Sequence, residues 1–300
     1  MLRTTGGRAV TSASEAARSM ARETAIGISL VLFAASLWST SGLFIKVLTM
    51  ESFALIGLRS ALSFLALAPL IRPSALRFDW NLLLLIVAFS ATQIGFVFAT
   101  RWTTAANAIA LLSAAPVWVF LFGWLAVRRI QPRLLWPILL IVCGIAAMLS
   151  EPAEGASLNG NLLALFTGFA FALTQIAFKR IGQPAVGVIA LSNLCLAAAC
   201  VAVRPGAFLL AAIPVWEWVS LVYLGAIQIG LGMVCFIAGL RRITVGQASI
   251  LILIEPLLNP LWVFLVIGEI PSRYGFAGFA LILAGLLADL WVRLWLPPGR

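Results

Sequence analysis

The chain has 300 residues, of which 63% are hydrophobic and only 10% charged, and its mean hydropathy of +1.10 lies far outside soluble globular usage. A formal charge of +10 would suggest nucleic acid in a soluble protein, but here the basic residues fall between apolar runs, where membrane topology accounts for them, and no nucleic-acid partner is expected. The chain has no histidine and few acids, and its four cysteines (Cys143, Cys195, Cys200 and Cys235) lack CxxC spacing. Histidine-ligated metals, histidine proton relays and most hydrolase chemistry are therefore disfavoured, and no cofactor or metal is expected.

Residues 1–24 are polar and rich in Arg and Ala, have no apolar stretch ahead of a cleavage site, and read as a flexible cytoplasmic tail. Ten apolar runs follow, at 26–48, 53–71, 80–100, 104–127, 134–149, 159–178, 186–203, 218–240, 244–267 and 274–296. Each is long enough, or nearly so, to cross a hydrocarbon core of ~30 Å. With the amino terminus inside, the inner segments hold fifteen basic residues and the outer ones four; Arg59, within a span, completes the total of 20. That bias predicts both termini in the cytoplasm and a multi-pass protein of the inner (plasma) membrane.

The chain also repeats itself. Residues 101–116 align without gaps on 241–256, sharing Arg-x-x-Thr-x-x-x-Ala and the closing Pro. The same offset pairs Phe122 with Trp262 and Arg129 with Glu269, and residues 38–46 answer 171–179, pairing Trp38 with Phe171 and Lys46 with Lys179. Each half, 25–150 and 157–296, holds five spans, and an odd number of spans turns the second half upside down. The expected fold is an all-α integral membrane protein with ten transmembrane helices as two inverted five-helix repeats. Such repeats place a substrate near the midplane between the halves.

Glu255 stands out as the carboxylate in the middle of a strongly apolar run. A charge at that depth costs about 2.5–3.5 kcal/mol on insertion scales and is a functional-site hypothesis by default. Pro256 follows it, and Pro116, Pro256 and Pro260 mark places where the fourth and ninth helices would break and act as gates. The first span brings Trp38, Ser39, Thr40 and Ser41 to mid-depth, and the sixth brings Phe171, Thr174 and Gln175; the hydroxyls serve equally as interhelical glue. Gln93 and Gln228 are deep amides that should face the bundle interior. Arg59 lies ~9 Å inside the second span by helix rise, with Asn193 as its approximate repeat counterpart. It either snorkels outward or faces the cavity, where it would bind a substrate carboxylate or pair with Glu255.

Ten spans, the five-plus-five repeat, and the order Leu240-Arg241-Arg242, Glu255-Pro256, Gly268-Glu269 resemble the drug/metabolite transporter superfamily, in particular its EamA-type exporters. The resemblance covers residues 25–295. The first half departs from the pattern, with Ala115 in place of Glu255 and Arg128-Arg129 in place of Gly-Glu. The chain is most similar to bacterial exporters of aromatic and other neutral amino acids. What this resemblance implies is a secondary transporter that moves a small molecule through a lipid bilayer and is not an enzyme. A multidrug or cation exporter using Glu255 is the alternative within transport. A membrane scaffold or receptor explains the inverted repeat poorly.

Overall fold

The computed structural model describes residues 5–128, 132–150, 157–209 and 213–295. Among these, ten helical segments are long and apolar enough to cross a membrane. They are Ser19–Val47, Ser52–Leu70, Trp80–Trp102, Ala105–Ala126, Pro132–Leu149, Leu158–Ile181, Ala185–Val203, Val215–Leu240, Gly246–Ile267 and Arg273–Leu294, hereafter the first to tenth spans. No strand occurs among the described residues. Large apolar side chains such as Leu65, Val87, Phe166, Leu265 and Phe276 point outward, as a chain solvated by lipid requires. The segment read as a loose tail is helical from its first described residue: one helix, Thr5–Ser39, runs straight into the first span. Its Ala, Arg, Glu and Met are good helix formers.

Three spans are interrupted, the fourth and ninth near the prolines expected to break them and the first where no break was expected. The first breaks at Thr40, between helices Thr5–Ser39 and Ser41–Val47. The fourth breaks at Ala114, and the ninth at Leu253. The last two breaks lie two and three residues before Pro116 and Pro256. A proline ring crowds the turn before it, and the backbone responds by tightening: Ala114 donates to Leu111 and Leu253 to Ile250, each three residues back. Pro260 sits inside the helix Ile254–Ile267 without ending it. In the eighth span, residues Tyr223–Leu231 form a π-helix.

The repeat is visible in backbone detail. Thr104 and Thr244 are N-caps of the fourth and ninth spans, and each hydroxyl accepts from the amide three residues on, at Asn107 and Gln247. At the other ends, Arg128 and Gly268 both close their helices in the left-handed region, at φ 56° and 76°. Glycine is at ease there and arginine is not.

Packing follows the same pairing. The second span packs on the seventh, the fourth on the ninth and the fifth on the tenth; the third packs on the sixth and the eighth on the first. Read in order of contact, spans 9, 1, 8, 2, 7, 3, 6 and 4 form a closed ring, with spans 5 and 10 paired against its outer side at spans 4 and 9. The first and sixth spans, separated in the ring by the ninth and fourth, make no substantial contact.

Candidate functional site

The break in the first span is built from three consecutive hydroxyls. Ser39, Thr40 and Ser41 donate back to the carbonyls of Ser36, Leu37 and Trp38 over 2.7, 2.7 and 2.8 Å, each three residues earlier. Such local bonds compete with the helical ladder and bend it. Each hydroxyl oxygen then accepts from another span. Ser39 receives the indole N–H of Trp262 at 2.9 Å, and Ser41 receives Asn259 Nδ2 at 3.4 Å. Thr40 receives Gln228 Nε2 at 3.4 Å and lies 3.0 Å from the Tyr223 hydroxyl. The one Thr40 proton is committed to Leu37, so Tyr223 is the donor in that pair.

Gln228 and Tyr223 meet at Thr40 because the eighth span is a π-helix there. Residues five apart stack on one face in i→i+5 geometry, whereas in an α-helix they diverge. Gln228 is buried and also donates to the Leu37 carbonyl at 3.2 Å. Its own carbonyl accepts the Trp38 indole N–H at 3.0 Å, and the Trp38 ring tilts against Phe236 with centroids 5.2 Å apart. Gly232 lets this happen: a Cβ there would lie 2.7 Å from Trp38 Nε1.

Glu255 follows the break in the ninth span and is half-buried. Asn259, one turn further on the same face, is fully buried, and its Oδ1 has no partner. Among the described residues Glu255 has neither a hydrogen bond nor an ion pair, and Arg59 is not its partner. Arg59 is 2% exposed, packed in the second span, with Nε unpartnered, so it does not snorkel outward.

The sixth span contributes less. Thr174 donates to Ala170 at 2.9 Å and lies 3.4 Å from Thr92 of the third span. Phe171 and Gln93 are half-buried and Gln175 is exposed; none has a polar partner among the described residues. Asn193 is fully buried and donates to Ile189 at 3.0 Å, leaving Oδ1 unpartnered. The structure thus gathers Trp38, Ser39, Thr40, Ser41 and Gln228 into one cluster, with Glu255 a turn from Asn259 beside it. It leaves Arg59, Gln93, Phe171, Thr174 and Gln175 outside that hydrogen-bonded set. Sequence reading missed Tyr223 and Asn259; of these, only Asn259, at i+4 from Glu255, carried a helical signal.

The ring has two ends, one bearing the first-span entry (the tail face) and one opposite. At the opposite face it is tied across. Lys46 donates to the Thr103 carbonyl at 2.7 Å and pairs with Glu269 at 2.7 Å, while Glu269 accepts the Ala105 amide at the start of the fourth span. Arg101 reaches from the third span to Ser52 Oγ and the Leu48 carbonyl at 2.9 and 3.0 Å. Glu217, in the first turn of the eighth span, is buried and accepts from the amide and hydroxyl of Thr49. On the tail face the ties join ring neighbours: Arg242 with Glu23, and the Arg77 backbone with the Gln183 amide.

A ring of eight spans, pinched at one face and lined at mid-depth by broken helices with polar groups, defines a helical membrane protein of the transporter class. The sequence matches the EamA-like transporter family twice, over residues 25–150 and 158–288. A protein of Archaeoglobus fulgidus described as an uncharacterized transporter is 28% identical over 262 residues, covering 87% of this chain and 95% of that protein. A solved crystal structure at 23% identity shares the fold, with a TM-score of 0.62 over 93% of this chain and 99% of its own. The chain belongs to the EamA-like transporter family.

Proposed function

We propose that this transporter exports small neutral amino acids, chiefly aromatic ones, across the inner (plasma) membrane by alternating access, with both termini in the cytoplasm. The halves 25–150 and 157–296 flank the path. One observation carries the reading. Among the described residues Glu255 is without a partner, and it stands one turn from Asn259, whose Oδ1 is orphaned and whose amide nitrogen meets Ser41 at the first-span break. Two acceptors on one helix face suit an ammonium group, and Trp38 offers an aromatic face for an apolar side chain. Phe171, its repeat counterpart on the sixth span, supplies the second face.

The same acceptor set favours a second reading, export of hydrophobic cations, because Arg59 is packed away from Glu255 and leaves no nearby guanidinium for a carboxylate. Proteoliposome transport of tryptophan, threonine and a cationic dye separates the two. The amino acid reading expects tryptophan transport above threonine and little dye movement. Dye transport without tryptophan transport would replace it with the second reading.

A further inference from the structure

The two faces of the ring carry the same basic residues in opposite states. The repeat pairs Lys46 with Lys179 and Arg101 with Arg241. At the opposite face both are engaged: Lys46 holds Glu269 and the Thr103 carbonyl, and Arg101 holds Ser52 and the Leu48 carbonyl. At the tail face Lys179 and Arg241 are both exposed, with no partner among the described residues. Packing agrees. The short helix Ser41–Val47 crosses the ring to the third and fourth spans, whereas the sixth span packs substantially only on the third, fourth and fifth.

We propose that Lys46 with Arg101 and Lys179 with Arg241 are the two gates of the transport cycle, closing in alternation, and that this structure is the state closed at the opposite face and open at the tail face. When the tail face closes, Arg241 takes the position Arg101 holds now. The repeat then places it against the carbonyls of Phe178 and Ile181, the counterparts of Ile45 and Leu48. These are last-turn carbonyls of the sixth span, which lack intrahelical donors and attract a guanidinium. The gates are unequal. Glu269 gives Lys46 an ionic partner, whereas in the sequence the repeat counterpart of Glu269 is a basic residue, Arg129.

Hydrogen exchange of the whole protein in lipid nanodiscs tests this, read at residues 44–52 and 99–106 on one face, at 176–183 and 239–244 on the other, and at 135–149 as a control. Arg241 is exposed and unpartnered, so Arg241→Gln costs this state nothing. It should slow opposite-face exchange several-fold, roughly in proportion to the loss of a charge-assisted bond from the competing state. Arg101→Gln should do the reverse, speeding opposite-face exchange and slowing tail-face exchange. Opposite-face exchange unaltered in Arg241→Gln overturns the proposal. So does a change in Arg101→Gln confined to the substituted face, or one extending to residues 135–149, since either makes these residues structural ties.

Discussion

Trp262 donates its indole N–H to the Ser39 hydroxyl across 2.9 Å, fastening the ninth span to the first at the level where the first helix breaks. The neighbouring hydroxyls are used in the same way, Thr40 toward the eighth span and Ser41 toward the ninth. The kink is therefore shared among three spans, and removing any one hydroxyl leaves a donor stranded.

Thr40→Val provides the first test. It keeps the shape of the side chain but strands the Tyr223 hydroxyl and one Gln228 proton, with a loss of about 1–3 kcal/mol expected for buried unpaired groups. Thermal unfolding in nanodiscs should show this. Tyr223→Phe in the same background should then cost little more, because the two changes break one bond. Additive losses would show that the hydroxyls do not interact.

A second prediction concerns the helix ends. Arg128 carries φ 56°, where its repeat counterpart is Gly268. Replacing Arg128 by glycine should raise stability by about 1 kcal/mol by relieving left-handed strain, and Gly268→Ala should lower it by about as much. Both are read in the same unfolding assay. Equal effects of one sign from the two substitutions would contradict the shared geometry.

Much of this fold was legible in the sequence. Hydropathy located all ten spans, and the 140-residue offset paired Thr104 with Thr244, which the structure shows capping matching helices. The breaks were less accessible. Proline foretold those at Ala114 and Leu253, but the break at Thr40 has no proline and arises from three hydroxyls bonding backward. The meeting of Tyr223 with Gln228 was hidden because their spacing points to one face only in a π-helix, which no periodicity of 3.6 anticipates. Long-range ties such as Lys46 with Glu269 carry no local signal at all.

The orientation is the third prediction. From the basic bias, both termini are expected in the cytoplasm. A periplasm-dependent phosphatase fused after residue 299 should be inactive and one inserted at Gly206 active. The reverse pattern would invert the topology and, with it, the direction of transport proposed.

Trp38 offers the fourth. If its face meets the substrate, Trp38→Ala should reduce tryptophan or phenylalanine export more than threonine export, and combination with Phe171→Ala should be non-additive. Uniform losses that track folded yield would assign both rings to packing.

Glu255 bears most directly on the central claim, that this carboxylate, without a partner among the described residues, binds the transported molecule. The decisive measurement is tryptophan transport by Glu255→Gln in proteoliposomes, normalised to folded protein. The account predicts wild-type folded yield with transport reduced at least about tenfold, the scale of one lost charge-assisted contact to substrate. Transport at the wild-type rate by the well-folded variant would contradict it and move the binding site elsewhere in the ring.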